Sequence, residues 1–157
     1  KANSRGVDLN RNYPYKFVVS GKTGPEGYTG AKAGSEKETQ ALMSLTKSLK
    51  KNTDLCAVIN YHAMGEIIFG EYSGNSASTK KEVRTLYLLA RKLTGYKDAG
   101  GYNSTGRGCY REYVMYGQGI PSITIEVGKH WCPIPYSDYQ SIYNKNKMVV
   151  LKSANLY

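Results

Sequence analysis

The sequence predicts an α/β fold, a mixed sheet with helices on both faces, because amphipathic helical segments alternate with short apolar runs. Residues 35–52 open with a capping box (SEKE) and then place Leu42, Leu45 and Leu49 at helical spacing. Residues 55–61 (LCAVINY) form an apolar run that is too short for a helix and is typical of a strand buried on both faces of a sheet. This alternation favours a layered α/β architecture.

The other segments continue the same alternation. A short strand is predicted at 67–69 (IIF), and a second helix opens with the capping box of residues 79–82 (TKKE). A glycine-rich loop at 95–108, a short helix at 109–116, a β-branched strand at 122–127 and a terminal helix follow. Residues 1–34 are predicted to form a short strand and a long loop, which is a candidate site region. The second helix is expected to bury one face, formed by Val83, Leu86, Tyr87, Ala90 and Leu93.

Length and hydropathy indicate one domain without a membrane span. The chain has 157 residues, of which 40% are apolar, and it contains no apolar run long enough to cross a bilayer. No secretory signal peptide is expected, because no charged start is followed by an apolar segment. The chain begins at Lys1 directly against a dense motif, so we expect residues 1–157 to be one domain truncated at its N-terminus.

The charge balance is strongly basic. The chain has 22 Lys and Arg and 12 Asp and Glu, for a net charge of +10, which favours acidic partners such as anionic wall polymers, nucleic acid or lipid head groups. A simply basic secreted protein explains the same balance equally well. Nucleic acid is not expected as a partner, because the basic residues form no dense run interleaved with aromatic residues.

Three cysteines match neither a disulfide framework nor a CxxC metal site. At most one disulfide can form within the chain, and the favoured pair is Cys109 with Cys132. Cys56 lies inside an apolar run and is expected to be buried.

Two polar residues stand at unusual places in the predicted strands. His62 ends the apolar run, and Glu126 lies between Ile125 and Val127. A strand-end histidine is more often a structural group than a ligand, and a strand glutamate often pairs with an arginine. Buried carboxylates nevertheless need a charge, a metal or a cleft, so Glu126 is a candidate site residue.

Five segments, taken in order, resemble one known family. Residues 6–14 (GVDLNRNYP) closely resemble the GVDLNRN(F/Y)P signature of the M14 metallocarboxypeptidases. Residues 27–39, with YTG followed by SEKET, resemble its next segment, and residues 61–65 (YHAMG) resemble its strand-end H-S-x-G. Two further matches are residues 102–106 (YNSTG) and 119–126 (GIPSITIE). The resemblance implies a zinc-carboxypeptidase-like fold and the C-terminal part of the catalytic domain.

The resemblance also implies a role for individual residues. His62 is similar to the third ligand of one zinc ion, and Glu126 to the general base that takes a proton from the zinc-bound water. Asn10 and Arg11 resemble the pair that holds the terminal carboxylate of the substrate. Tyr102 resembles the mobile-loop tyrosine that closes over the substrate.

One part of the family pattern is missing. The first two zinc ligands of the family come from an H-x-x-E motif, which this sequence lacks, so they are expected upstream of Lys1. With one imidazole, the chain alone is expected to hold zinc weakly or not at all and to be inactive. Substitution by Glu66 is not expected, and His130 is expected at the surface. The family arginine that polarises the scissile carbonyl would also fall at or before the first residue.

The substrate prediction depends on Arg111. The family resemblance places this residue at the floor of the pocket for the terminal side chain, where a cation favours a side chain that ends in a carboxylate. Residues 120–128 (IPSITIEVG) resemble the bacterial branch that acts on γ-D-glutamyl-meso-diaminopimelate. A zinc peptidase for C-terminal residues or cell-wall stem peptides, secreted or associated with the wall, is therefore the predicted function. The alternative is that Arg111 simply pairs with Glu112 or with a neighbouring helix.

Two other functions stay open at this stage. A zinc-free relative could bind acidic peptides through Arg11, Arg111 and Tyr102 without cutting them. A structural role is the other alternative, with a homo-oligomer formed through an exposed sheet edge.

Overall fold

The structure is a computed structural model that describes residues 1–70, 76–100 and 107–157. Its contacts divide the chain into two compact units. The first unit comprises Lys1–Leu55 and Thr105–Ile120, and the second comprises Cys56–Ser104 and Pro121–Tyr157.

Helices and strands alternate along the chain as the sequence predicts. The strands are β1 (Val58–Ala63), β2 (Ile67–Phe69), β3 (Lys97–Asp98) and β4 (Ser122–Val127). The helices are α1 (Lys37–Asn52), α2 (Ala77–Thr94), α3 (Tyr110–Glu112), α4 (Tyr139–Asn146) and α5 (Val149–Ala154). Short turns of 3-10 helix lie at Leu9–Arg11 and Tyr136–Asp138, and a π-helical turn at Tyr113–Gly117 continues α3.

The second unit contains a four-stranded mixed sheet in the order β1-β4-β2-β3. Strand β4 runs parallel to β1 and antiparallel to β2, while β2 and β3 are parallel. The mixed α/β prediction is therefore confirmed. The sequence missed β3 inside the expected glycine-rich loop, because a strand of two exposed residues shows no apolar alternation.

Strand β4 is the buried centre of the sheet. Its first four residues, 122–125, are all buried. Successive side chains of a strand point to opposite faces, so both faces of β4 are covered. Helix α2 packs against β2, β4 and α5.

Strand β1 differs from its prediction. It was expected to be buried on both faces, but its residues are half-buried to exposed. Within the described sheet β1 lies at an edge and pairs only with β4, which leaves one side of its backbone uncovered. The prediction that Cys56 is buried is wrong, because Cys56 is exposed. The strand begins only at Val58, so Cys56 lies before it and outside the sheet.

Helix α2 buries the face that its sequence pattern predicts. Val83, Leu86, Tyr87 and Ala90 are buried, whereas Leu93, the fifth residue of the predicted face, is half-buried. The N-cap is Ser76, whose hydroxyl accepts a hydrogen bond from the Thr79 backbone N–H at 3.2 Å, so the predicted start at residue 79 is wrong. No described helix is both long and apolar enough to cross a membrane.

Helix α1 has the predicted extent but buries a different side. Its buried residues are Thr39 and Thr46, whereas Leu45 and Leu49 are 52% and 37% exposed. The Thr46 hydroxyl lies 2.7 Å from that of Tyr110, so the threonine side of α1 packs within the first unit. The predicted capping box does not form, because the N-cap residue is Glu36 and makes no side-chain cap.

Both chain ends depart from the prediction. The expected strand near residues 7–9 is absent from the described residues, which instead form one antiparallel bridge between Ala2 and Asp8 before the 3-10 turn. The expected single terminal helix is split into α4 and α5.

The buried face of α2 gives a direct test of this packing. We expect Leu86→Ala to lower the free energy of unfolding by about 2–5 kcal/mol, because Leu86 is fully buried and its removal leaves a cavity. Leu88 is 47% exposed on the same helix, so Leu88→Ala is the matched control and should change stability by about 0.5 kcal/mol or less. Urea unfolding measures both variants, and equal losses would contradict the described orientation of α2.

Candidate active site

In the second unit, the pairing of two strands places His62 beside Glu126. The two residues are Cα partners in the parallel β1–β4 ladder, so their side chains leave the same face of the sheet. Neighbouring strands lie about 4.8 Å apart, which brings an imidazole and a carboxylate within reach of one small molecule or ion. The structure thus brings together two of the predicted site residues.

Both residues lie near the carboxyl ends of their strands. His62 is exposed and Glu126 is half-buried. Ligands of open α/β sheets commonly bind outside these strand ends. Glu126 is also the register partner of Ile67 on β2, so its backbone is held from both sides.

The two other polar residues considered as ligands are engaged elsewhere. The Glu66 carboxylate lies 2.5 Å from the Lys145 ammonium and 3.7 Å from that of Lys129. The His130 side chain is 64% exposed and its Nδ1 lies 2.5 Å from Asp138, in agreement with the expected surface position.

The donors in the described residues supply one part of a zinc site. An exposed imidazole at a strand end suits zinc chemically, and a catalytic zinc normally has three protein ligands. Within residues 1–70, 76–100 and 107–157, no cluster of three or more His, Cys, Asp or Glu side chains is placed to hold a metal ion. His62 therefore fits one ligand position and does not by itself make a zinc site.

In the first unit, a buried carboxylate shapes the loop that carries Asn10 and Arg11. Asp8 is 1% exposed, and its Oδ1 accepts a hydrogen bond from the Asn10 backbone N–H at 3.2 Å. Its Oδ2 accepts one from the Gly27 N–H at 3.3 Å. One side chain therefore ties the 3-10 turn to the loop around residue 27.

Asn12 makes a second connection of this kind. Its buried amide donates to the backbone oxygens of Thr29 (2.8 Å) and Lys32 (3.2 Å), and its Oδ1 accepts from the Glu36 N–H at 3.2 Å. Glu36 is itself buried. Hydrogen bonds from Ser35 (2.6 Å) and Asn3 (2.8 Å), with the charge of Arg5 adding to them, hold the pKa of Glu36 below its ordinary value. Sequence reasoning gave Asp8 and Asn12 no role, although both lie inside the GVDLNRNYP motif.

Arg11 is held against a cysteine that sequence reasoning also missed. Its Nη1 donates to the Asn10 carbonyl at 2.7 Å and to the Cys109 sulfur at 3.1 Å. The Asn10 side-chain oxygen accepts from the Tyr110 N–H at 3.0 Å. The start of α3 therefore lies directly on the Asn10–Arg11 pair, with Cys109 as its point of contact.

Arg111 makes the contact that was the alternative in the sequence analysis. Its Nε donates to Glu112 Oε1 at 3.0 Å and its Nη2 donates to the same oxygen, and both residues are almost fully buried. Removing one member of such a pair leaves an uncompensated buried charge, which is strongly destabilising. The pair therefore has a structural role in α3.

Two remaining predictions concern Tyr102 and the disulfide. Tyr102 lies outside the described residues. All three cysteines are free, so the predicted Cys109–Cys132 disulfide is wrong. Cys109 is buried with its sulfur turned to Arg11 and to the Arg107 carbonyl (3.6 Å), whereas Cys132 is exposed.

A mixed sheet that presents a histidine beside a glutamate at its strand ends is the kind of arrangement that metallohydrolases use. The chain belongs to the zinc carboxypeptidase family, peptidase M14, whose sequence model matches residues 1–135. This agrees with the resemblance drawn from the five motifs.

Relatives in this family include peptidases from bacteria and fungi. The chain is 28% identical to a γ-D-glutamyl-L-diamino acid endopeptidase of Lysinibacillus sphaericus, over 100% of this chain and 38% of that protein. It is 27% identical to a metallocarboxypeptidase A-like protein of Trichophyton verrucosum, over 78% of this chain and 30% of that protein. The chain therefore spans well under half the length of these curated relatives.

Solved structures share the fold. The murein-tripeptide amidase MpaA of Escherichia coli O157 matches with a TM-score of 0.67 and 23% identity, over 96% of this chain and 60% of that chain. Bovine thrombin-activatable fibrinolysis inhibitor, solved with a tick carboxypeptidase inhibitor, matches with a TM-score of 0.72 and 21% identity, over 95% and 56%. At these identities the likeness establishes the carboxypeptidase fold.

The contact of α3 with Arg11 requires a glycine at position 108. Gly108 has a φ of +65°, and a Cβ there would lie 2.2 Å from the Arg11 carbonyl oxygen. Gly119 has a similar φ of +68° with open space around it, so Gly119→Ala is the matched control and should cost about 1–2 kcal/mol of stability. We expect Gly108→Ala to cost clearly more in urea unfolding, because the clash with Arg11 adds to the backbone strain. Equal losses would show that residue 108 does not lie on Arg11.

Burial of Cys109 predicts slow reaction with thiol reagents. Burial, reinforced by the charge of Glu112, raises the pKa of the Cys109 thiol from 9.0 to about 11, and only the thiolate reacts. A raised pKa leaves less of the thiol in the reactive thiolate form near neutral pH. We expect a disulfide reagent to label two cysteines quickly and the third slowly, with all three labelled quickly in denaturant.

The variant Cys109→Ser assigns the slow step. It should remove the slow phase and leave the fast phase of the exposed Cys56 and Cys132 unchanged. Loss of a fast phase instead would contradict the burial of Cys109.

Proposed function

We propose that the chain is the C-terminal part of a zinc-dependent metallopeptidase that removes a C-terminal residue or cuts a bacterial cell-wall stem peptide of the γ-D-glutamyl-diaminopimelate type. The observation that carries the proposal is the β1–β4 register, which sets His62 beside Glu126 at the strand ends. Membership of the zinc carboxypeptidase family supports peptide hydrolysis, and the endopeptidase relative supports the substrate class.

The activity belongs to a longer protein in this proposal. The chain spans 38% of its endopeptidase relative, and two further zinc ligands would come from residues that precede Lys1. His62 would be the third ligand, as a neutral imidazole. Zinc, when bound, supplies Lewis-acid chemistry at the scissile bond.

The residues of this chain divide the remaining work. The Glu126 carboxylate accepts a proton from the attacking water and passes it to the leaving amine nitrogen. Asn10 and Arg11 hold the terminal carboxylate of the substrate, for which the guanidinium offers charge-assisted hydrogen bonds. Tyr102 closes over the bound peptide. Since Asp8 and Cys109 fix the Asn10–Arg11 pair in advance, little ordering is left for the moment of binding.

The net charge of +10 supports a place of action at an anionic surface. We propose that the parent protein is secreted or associated with the cell wall. A charged field of this sign raises the local concentration of anionic polymer and speeds association at low ionic strength.

Two variants of the parent protein test the site. Glu126→Gln keeps the shape of the side chain and removes its basicity, so hydrolysis of a γ-D-glutamyl-meso-diaminopimelate peptide should fall by about 10²–10⁴-fold while zinc content is retained. His62→Ala should reduce both zinc content and turnover, because a ligand is lost. Glu38→Gln, at an exposed position on α1, is the control and should leave both unchanged.

The readouts separate base from ligand. Full activity in Glu126→Gln, with the control also active, would refute the role of Glu126. A parent protein that binds the peptide, but does not bind zinc and does not hydrolyse the peptide, would favour the zinc-free binding alternative.

A further inference from the structure

Two arginines of the first unit line one cavity. The cavity has a volume of about 260 Å³, and its charged residues are Arg11 and Arg107. The other lining residues are small or apolar: Val18, Ser20, Gly27 and Thr29. Two cations and no carboxylate in one small cavity indicate a site for an anion.

The backbone explains why Arg107 lies beside Arg11. Gly108 lies so close to the Arg11 carbonyl that no side chain fits between them, and the Cys109 sulfur accepts from the Arg11 guanidinium. The Gly108 N–H also donates to the Tyr15 carbonyl at 2.9 Å. Residues 108 and 109 are thus fixed on Arg11, and this places the preceding residue, Arg107, at the same cavity.

The Arg11 guanidinium uses Nη1 for the Asn10 carbonyl and the Cys109 sulfur, and no carboxylate of the described residues balances either arginine. Within the described part of the chain, neither Arg11 nor Arg107 forms an ion pair with a carboxylate. Arg11 does act electrostatically on Glu26, but that carboxylate is hydrogen-bonded to the Lys1 ammonium. Arg111, by contrast, is buried against Glu112 and its charge is already balanced.

The walls of the cavity are held by internal hydrogen bonds. The Thr29 hydroxyl donates to the Val18 carbonyl at 3.0 Å and accepts from the Ser20 N–H at 2.9 Å. Gly27 is tied to Asp8. A preformed site loses little entropy when it binds, which favours a small charged ligand.

We propose that Arg107 recognises a second carboxylate on the substrate. This carboxylate lies at the end of the side chain of the last residue, whose C-terminal carboxylate is held by Asn10 and Arg11. The proposal rests on the proposed function and assigns the charge preference to Arg107 in place of Arg111. Pockets for drug-sized ligands have volumes of about 300–1,000 Å³, so a cavity slightly smaller than these suits one amino-acid side chain. The substrate class is a peptide whose last residue is a diamino dicarboxylic acid.

A matched pair of peptides tests the charge preference. N-acetyl-L-alanyl-γ-D-glutamyl-meso-diaminopimelate differs from the same peptide ending in L-lysine by one carboxylate. Calorimetric titration of this chain should give tighter binding of the diaminopimelate peptide by about 10-fold or more, as a charge-assisted hydrogen bond provides.

The variant Arg107→Gln should remove that preference. Its affinity for the diaminopimelate peptide should fall to that of the lysine peptide, and its affinity for the lysine peptide should change by less than about twofold, because the lysine peptide has no group for Arg107. Lys47→Gln removes one positive charge from an exposed position on α1 and is the charge-matched control, which should keep the preference. Circular dichroism establishes that each variant is folded.

Other outcomes overturn the proposal. If Arg107→Gln still prefers the diaminopimelate peptide, another residue recognises the second carboxylate. If Lys47→Gln loses the preference to the same extent, the preference is an effect of net charge alone. Inorganic phosphate that competes equally with both peptides would show a general anion site without substrate specificity.

The test separates this inference from the proposed function, because it measures binding without turnover. Suppose that this chain shows the binding preference and the parent protein does not hydrolyse the peptide. The role of Arg107 would then stand, and the proposed peptidase function would be refuted. If the parent protein hydrolyses the peptide but its preference for diaminopimelate over lysine does not depend on Arg107, only the role of Arg107 would be refuted.

Discussion

The parallel pairing of β1 with β4 determines which side chains of the second unit share one face of the sheet. Side chains alternate between the two faces of a strand, so a slip of one residue would move His62 to the face opposite Glu126. The register is anchored by β4, whose first four residues are buried and which also pairs with β2. A slip of β1 by one residue would also exchange its half-buried side chains, 58–60, between the two faces of the sheet. The backbone hydrogen bonds between β1 and β4 therefore set the imidazole beside the carboxylate, and this placement does not depend on a contact between the two side chains.

The first unit holds its polar residues by a different means. It has no sheet of its own in the described residues, so side chains of Asp8 and Asn12 take the place of a backbone ladder and satisfy the N–H and C=O groups of an irregular loop. Such buried side-chain bonds are costly to break, since the orphaned partner stays away from water. The loop that carries Arg11 is in this way as well defined as a regular element would be.

Much of this could be predicted from the sequence, and the failures have physical causes. The extent of α1, the buried face of α2 and the strand that carries Glu126 follow from local periodicity, which is encoded within each segment. The exposure of β1 could not be predicted, because it depends on where the strand lies in the sheet.

The same distinction applies to the site. The motif positions of His62, Glu126, Asn10 and Arg11 were found by resemblance, and the strand register and the turn then account for their placement. The pairing of Arg111 with Glu112 was one of two alternatives, and the sequence could not decide between them because side-chain directions in a helix of three residues leave no periodic pattern. The contact of Cys109 with Arg11 was not predicted for the same reason. That all three cysteines are free could not be predicted either, because the sequence does not show which cysteines lie close together.

The close approach of Gly108 to Arg11 has a consequence for how this protein can evolve. Position 108 admits no side chain, whereas the side chain at the adjacent position 107 is exposed. The residue that packs on Arg11 and the residue proposed to set the charge preference for the substrate are therefore neighbours, one enclosed by backbone and the other open to solvent. If the proposal holds, a change of preference from a dicarboxylic to a neutral or basic end group would need a substitution only at the exposed position 107, and the packing of Gly108 on Arg11 would stay as it is.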